Sequence, residues 1–317
     1  ARRVGNQGAC ERKTMRLIED VAHAQQADLV VFTGDIVDGR DKTDLADFQR
    51  DLAPLVKIMQ QLGIPWVYLP GNHEGDCRQV SRTDLLQLVR SLPGCCIPPS
   101  AQSFNYALTV VRDDCPACRV HVQLLDAAQC KPPYWLEPSA VAAAVRCAEQ
   151  APGPSVRLCF VHEPLQLFRE ATLELLVGTV TPAGREEEFN DNGLTEALRG
   201  GECFDSIFAG HDHHSDYVKR LRADTSSASE VLVGHGRCGS FYPPSEHEGK
   251  KPLPFARGAR LFEADVTAEG ESVLRTWVVQ DGDVCTPRQL VTLARRPAPH
   301  ARGPTRVWAG GALPSNP

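Results

Sequence analysis

Apolar residues recur at helical spacing over residues 11–26 and again over 43–62. Each stretch runs into a short unbroken apolar segment, at 28–33 and 64–69. A period near 3.6 giving way to a brief run of Val, Leu, Ile and aromatic residues predicts helix followed by strand, twice over. Further on, strand-like runs are predicted at 104–111 and 120–125, a helix at Pro138–Glu149, and strands at 156–161 and 204–209. Three more runs, at 231–234, 259–264 and 273–279, follow with no helical pattern between them, which suggests hairpins. A mixed α/β core of two packed sheets flanked by helices accommodates this order, and one domain over residues 1–294 is expected. Two segments interrupt the pattern. Residues 242–257, rich in Pro, Gly and Lys, read as a long loop near the motif-bearing face, and residues 295–317 read as a disordered tail.

Composition narrows the function classes. A chain of 317 residues, 42% apolar and 23% charged, can bury a sizeable core. Its formal charge of −6 leaves no basic footprint, so general nucleic-acid binding is not expected. No apolar run approaches the roughly 20 residues that span a bilayer, and the polar start Ala1-Arg2-Arg3 is neither a signal peptide nor an anchor. Twelve cysteines are scattered along the chain and leave the compartment open. Cys115 and Cys118 form a Cys-x-x-Cys between two strand-like runs, with no second pair at zinc-finger spacing. A local disulfide or plain thiols is the first reading there, and a metal or redox site the second. Asn-x-Ser/Thr acceptors are absent, which disfavours a heavily glycosylated product.

Chemistry collects at the ends of the apolar runs. Asp35 follows Val30-Val31-Phe32-Thr33-Gly34, so its carboxylate leaves a strand at a glycine turn, where one carboxylate can bridge two cations. Asn72 follows Val67-Tyr68-Leu69-Pro70-Gly71 in the same way and offers a neutral oxygen. His162 ends Leu158-Cys159-Phe160-Val161. His211 and His213 alternate through Asp212, so at extended spacing both imidazoles project from one edge. A lone histidine is usually a core or surface residue, the reading kept for His23, His121 and His300. Three at the same structural position as Asp35 and Asn72 read as metal ligands.

The series GD, GNHE, a strand-end His and GHDH resembles the calcineurin-like metallophosphoesterase superfamily. The surrounding ADLVVFTGD, PWVYLPGNHE and FAGHDHHSDY are similar to its purple-acid-phosphatase-related fungal and plant branch. The resemblance runs from about Gly5 to Val279. It implies a four-layer αββα sandwich and two metal ions, Fe, Zn or Mn, with Asp35 bridging them. Asn72, His162 and His211 would complete one metal site, and His213 would bind the other. Two cations about 3.5 to 4 Å apart would give a nucleophilic hydroxide near neutrality and hold the phosphoryl oxygens for in-line attack. By the same resemblance His73, beside Asn72 but not a ligand, is the general acid, and Asp38 stands where the family orients that histidine. A turn-forming role is the alternative for Asp38. Glu74 reads as electrostatic support for the turn.

Substrate contacts are read at His235 and Arg237 in GHGRCGSFY, just after a strand, where a guanidinium could face phosphate. A structural role is the alternative for Arg237, and solvated surface positions are the simpler reading of Arg257 and Arg260. Two departures stand out. Purple acid phosphatases carry a tyrosine where Asp38 stands, so no charge-transfer colour is expected. The superfamily also opens with Asp-x-His on a first strand, and nothing before Asp28 matches it, so the chain is expected to begin just downstream of that strand. The expected activity is phosphoric monoester hydrolysis on a small phosphate ester or phosphoprotein. The alternatives are a nucleotide or cyclic-nucleotide phosphodiesterase and a non-catalytic scaffold of the same fold. The resemblance implies a secretory or extracellular setting, with the cytoplasm as alternative.

Overall fold

Alternation along one large sheet organises the molecule, a computed structural model that describes residues 2–113, 115–127, 132–150, 155–180, 189–201, 203–222, 230–241, 253–267 and 271–295. In chain order the elements are α1 (Arg2–Ala24), β1 (Val30–Phe32), α2 (Leu45–Leu62), β2 (Trp66–Tyr68), α3 (Arg82–Ser91), β3 (Tyr106–Arg112), β4 (Cys115–Leu125) and β5 (Tyr134–Trp135). Then come α4 (Pro138–Glu149), β6 (Ser155–Val161), β7 (Glu174–Thr179), β8 (Phe189–Asn190), α5 (Leu194–Gly200), β9 (Ser206–Ala209), β10 (Asp216–Arg222), β11 (Glu230–His235), β12 (Gly258–Val266), β13 (Ser272–Gln280) and β14 (Asp283–Arg295).

Seven strands pair in the order β3-β4-β6-β9-β11-β10-β7, with β4, β6, β9 and β11 parallel to one another and the outer strands antiparallel. Successive side chains of a strand point to opposite faces. Here Val122, Leu124, Leu158, Phe160, Phe208 and Leu232 enter one core while Leu125, Cys159, Val161, Ile207, Ala209, Val231 and Val233 enter another. Helices α4 and α5 cover the second face through Val141, Ala144, Leu194 and Leu198. The first face meets the parallel pair β1-β2, the antiparallel sheet β12-β13-β14 and helices α2 and α3. Phe262 of β12 sits edge-on to Phe160 and Phe208, with centroids 5.5 and 4.7 Å apart, and locks sheet to sheet. Helix, sheet, sheet, helix is the four-layer αββα order expected of the sequence.

Strand positions agree with the periodicity within a few residues, and α4 matches at both ends. Helix α1 starts earlier than the apolar pattern indicates, at Arg2. Five larger elements, α3, β7, α5, β10 and β14, are not among those the periodicity predicts. Helix α3 opens on a capping box, in which the Ser81 side chain accepts the Asp84 amide and Asp84 accepts that of Ser81. Strand β10 carries Asp216, Lys219, Arg220 and Arg222 among its apolar residues, which hides a buried strand behind a polar composition. Strand β14 reaches Arg295, the first residue of the expected tail; residues 296–317 lie outside those described, as do 242–252 of the expected loop. Cys115 and Cys118 are joined as a disulfide, the first of the two sequence readings. Among the described residues, no helix is long and apolar enough to cross a membrane.

Candidate metal centre

Parallel pairing fixes where the candidate ligand residues emerge. Strands β1 and β2 run parallel, as do β6 and β9, so the loops that follow each pair leave the same end of it. Those loops carry Asp35, Asn72, His162 and His211. The Asp35 carboxylate, the His162 ring and the His211 ring each place a ligand atom within 4.8 Å of the other two. Asn72 Oδ1 lies between the rings, 3.2 Å from His162 Nε2 and 3.0 Å from His211 Nδ1. His162 Nε2 is also 3.2 Å from Asp35 Oδ2. The site is therefore a convergence of two imidazoles, a carboxylate and an amide oxygen, all from strand ends.

Proton positions within this group follow from its hydrogen bonds. His162 Nδ1 donates to the Thr33 carbonyl at 2.7 Å, which turns Nε2 toward Asp35 and Asn72. Burial disfavours charge on the His162 ring, yet the adjacent Asp35 carboxylate raises its pKa to about 10. Burial likewise opposes charge on Asp35, but His162 and the His73 amide hold its carboxyl well below the usual carboxylate range. A metal ion fits this pairing, since it takes the place of the Nε2 proton beside the same carboxylate while the Thr33 bond keeps the ring oriented. The nitrogen and oxygen donor set suits Fe, Zn or Mn.

Backbone strain and close approach build the centre. Asp35 and His211 both adopt left-handed backbone, with φ of 56° and 61°, a conformation uncommon for residues with a Cβ. Gly34 precedes Asp35 at φ 100°; a Cβ there would collide with His162 Nδ1 and come within 2.6 Å of the Gly71 nitrogen. A Cβ on Gly71 would in turn collide with Asp35 Oδ1. The loops bearing Asp35 and Asn72 touch backbone to backbone, and only glycine permits it.

Buried Glu74 ties those loops together. Its Oε2 accepts the amides of Asp35 at 3.0 Å and Gly71 at 2.7 Å, and its Oε1 accepts the amides of Ile36 and Val37 and the Tyr68 hydroxyl. Arg82, at the start of α3, donates to the Gly71 carbonyl at 2.8 Å and lies 3.4 Å from Asp126. Glu163, next to His162, is buried, and that burial pushes its pKa up to about 7. The sequence reading gave Glu74 only a general supporting role and did not single out Arg82, Asp126 or Glu163. The Ser81-to-Asp84 capping box was the available signal for the helix that places Arg82.

The remaining sequence-predicted residues fall in three places. His213 is half-buried; burial drives its pKa down to about 4 against the pull of Asp35, leaving a neutral ring, but it does not join the mutually close group of Asp35, His162 and His211. His73 and Asp38 come together with Asp76 in a second cluster of potential ligand atoms within 4.8 Å. There the partner of His73 Nδ1 is Asp76, at 2.7 Å. Asp38, expected to orient His73, is engaged by Arg40, which donates Nε to it at 2.8 Å and its own backbone amide at 3.1 Å.

His235 and Arg237, expected to face phosphate, are both turned into the protein. His235 is buried, with Nδ1 3.2 Å from the Gly210 carbonyl and its ring against Phe168 and Tyr217. Arg237 pairs with fully buried Asp216, donates to the Ala256 carbonyl and stacks over Phe255. A desolvated guanidinium already matched to a carboxylate supports structure here, the alternative weighed for it in the sequence. Arg260 is also drawn inward, bonding the His235 carbonyl and Gln289, whose amide bonds Asp216. These residues form a buried polar network behind the histidine loop.

The sequence model of the calcineurin-like phosphoesterase family matches residues 7–215. A search of curated proteins finds no match. Among solved structures, the chain is similar to a dimetal phosphatase from Danio rerio, at 14% identity over 88% of either chain with a TM-score of 0.47. It is also similar to a phosphatase from Mycoplasma pneumoniae, at 11% identity over 90% of this chain and 89% of that one, TM-score 0.39. A third is GAP50, the anchor in the inner membrane complex of Plasmodium, at 10% identity over 91% and 85%, TM-score 0.49. These distant likenesses carry no argument of their own. The family match spans about two thirds of the sequence and both halves of the ligand group, from Asp35 to His211, and so the chain belongs to the calcineurin-like phosphoesterase family.

Proposed function

We propose that the protein is a metal-dependent phosphoric monoester hydrolase, from a branch related to purple acid phosphatases but without their metal-bound tyrosine. The observation that carries this reading is the convergence of Asp35, Asn72, His162 and His211 at four strand ends. Asp35 would be shared by two ions, with Asn72, His162 and His211 around one and His213 on the other. When bound, such ions neutralise charge on the phosphoryl oxygens and acidify water. The chain's own groups do the rest. Thr33 keeps His162 Nε2 turned inward, Glu74 keeps the two carboxylate-and-amide loops in register, and the half-exposed His73 stands beside Asp35 as proton donor to the leaving group. A small phosphate ester or a phosphoprotein is the substrate this open placement of His73 favours.

The test is hydrolysis of p-nitrophenyl phosphate against bis-p-nitrophenyl phosphate, with metal content measured on the same sample. Faster turnover of the monoester, abolished by exhaustive chelation and restored by Mn, Zn or Fe, is expected. Preference for the diester would assign a phosphodiesterase instead. Full activity after chelation would remove the metal-dependent reading altogether.

A further inference from the structure

We propose that Asp76 is the positioning residue for His73, in place of Asp38; the inference rests on the hydrolase reading above and deepens it. His73 and Asp76 bound one short 3-10 turn, His73–Asp76, whose three-residue separation folds the carboxylate back under the imidazole. Asp76 Oδ2 lies 2.7 Å from His73 Nδ1. An ionised carboxylate has no proton to give, so the hydrogen in this bond belongs to Nδ1. At its other end His73 is anchored by its own backbone amide, which donates to Asp35 Oδ1 at 2.9 Å. The residue is thus fixed at both ends, one bond to the shared metal carboxylate and one to Asp76. Nε2 remains on a ring whose side chain is 38% exposed.

Asp38 is close enough to belong to the same cluster, yet both its oxygens are taken up by Arg40, through the backbone amide, Nε and Nη2. The charged groups around His73 are therefore Asp76 in direct contact, Asp35 through the backbone, and Asp38 already matched by a guanidinium. The sequence explains the exchange. GDIVDGR puts an arginine two residues after Asp38, where its fork closes on that carboxylate, while GNHEGD supplies a second aspartate three residues after the histidine.

In the reaction, a water oxygen forms the new bond to phosphorus as the bond to the leaving oxygen breaks. The departing oxygen keeps that electron pair and takes the Nε2 proton of the His73 imidazolium. The attacking water, now bonded to phosphorus, releases one proton to solvent, while the ring is left neutral with Nδ1–H still on Asp76 and regains a proton from solvent. Asp76 never exchanges a proton with substrate; it keeps the ring in the tautomer and orientation in which Nε2 is the donor.

Two measurements on the full chain test this. In ¹⁵N-histidine-labelled protein, a hydrogen-bonded Nδ1–H resonance of His73 is expected, lost in Asp76→Ala, which removes the acceptor, and retained in Asp38→Ala. In the metal-loaded enzyme, Asp76→Asn should slow an alkyl phosphate by about 10- to 100-fold in kcat, part of the roughly 10² to 10⁴ a general acid contributes. The same variant should slow p-nitrophenyl phosphate by less than about threefold, because a stabilised phenolate departs without a proton. Metal content should be unchanged, and Asp76→Glu should recover most of the alkyl-ester rate, which separates positioning from a folding defect. An alkyl-to-aryl rate ratio equal to wild type in Asp76→Asn, or one disturbed more by Asp38→Asn, overturns the inference while leaving the hydrolase reading intact. If wild type hydrolyses neither ester, the hydrolase reading fails, and survival of the Nδ1–H signal in Asp76→Ala would overturn the positioning role by itself.

Discussion

The carboxylate of Glu74 accepts the backbone amide of Asp35 at 3.0 Å, across 39 residues of sequence. The same oxygen accepts the Gly71 amide, so one buried side chain sets the distance between the loop that bears Asp35 and the loop that bears Asn72. Glu74→Gln should expose how much this matters. Whichever way the new amide turns, its NH₂ faces two backbone N–H groups, because Oε1 serves Ile36 and Val37 and Oε2 serves Asp35 and Gly71. Unmet buried donors cost about 1 to 3 kcal/mol each. A fall in urea stability of at least about 2 kcal/mol, with reduced metal binding, is expected. Wild-type stability and metal content in that variant would show that the clamp is dispensable.

Two glycines with positive φ should behave differently. Gly34→Ala drives a methyl into His162 and the Gly71 backbone, whereas Gly63→Ala, at the end of α2 with φ 66°, meets nothing within 4 Å. Gly63→Ala should cost only the roughly 1 to 2 kcal/mol of left-handed backbone and leave metal stoichiometry alone. Gly34→Ala should lose metal. Equal metal content in the two proteins, measured after identical loading, would contradict the close-approach argument.

Arg237 offers a contrast between structure and substrate binding. Removing the charge in Arg237→Met leaves Asp216 buried without its partner, a change of about 3 to 5 kcal/mol in comparable buried pairs. Thermal or urea unfolding should register that loss, and Asp216→Asn added to the same protein should recover part of it. A stable Arg237→Met enzyme whose only defect is a raised KM would restore the phosphate-binding role read from sequence.

A pH effect follows from His235. Burial lowers its pKa from an ordinary 6.5 to about 4, against the pull of Asp212, so the folded ring is neutral and can donate Nδ1–H to the Gly210 carbonyl. With the folded pKa below the unfolded one, the unfolded chain binds more protons in between. The stability due to this group is therefore complete above about 6.5 and is lost as pH falls through about 4. In chelated protein, stability measured from pH 7 to pH 4 should fall more steeply for wild type than for His235→Gln. Parallel curves would mean that His235 does not titrate as its burial requires.

Much of the centre was legible in the chain. Asp35, Asn72, His162 and His211 stand directly after apolar runs, and strands end where such runs end, so a one-dimensional pattern fixes the position of each side chain at a strand tip. Helices α2 and α4 were readable for the same reason, since their apolar spacing is local. The charged strand β10 and the polar β14 were not, because their burial depends on partners far along the chain: Asp216 on Arg237, and Gln289 on Asp216 and Arg260.

Periodicity and the ends of the apolar runs by themselves determined a mixed α/β class and the strand-end placement of Asp35, Asn72, His162 and His211, while the choice of His73 came from the family resemblance. Tertiary structure alone decided who partners whom. It gave His73 to Asp76 and Asp38 to Arg40, turned Arg237 and His235 inward, and set Glu74 across two loops. The physical reason is range. Periodicity and turn chemistry act over a few residues and leave their mark on the sequence, whereas a hydrogen bond or ion pair is decided by which of several nearby groups lies within about 3 Å once the chain has closed on itself.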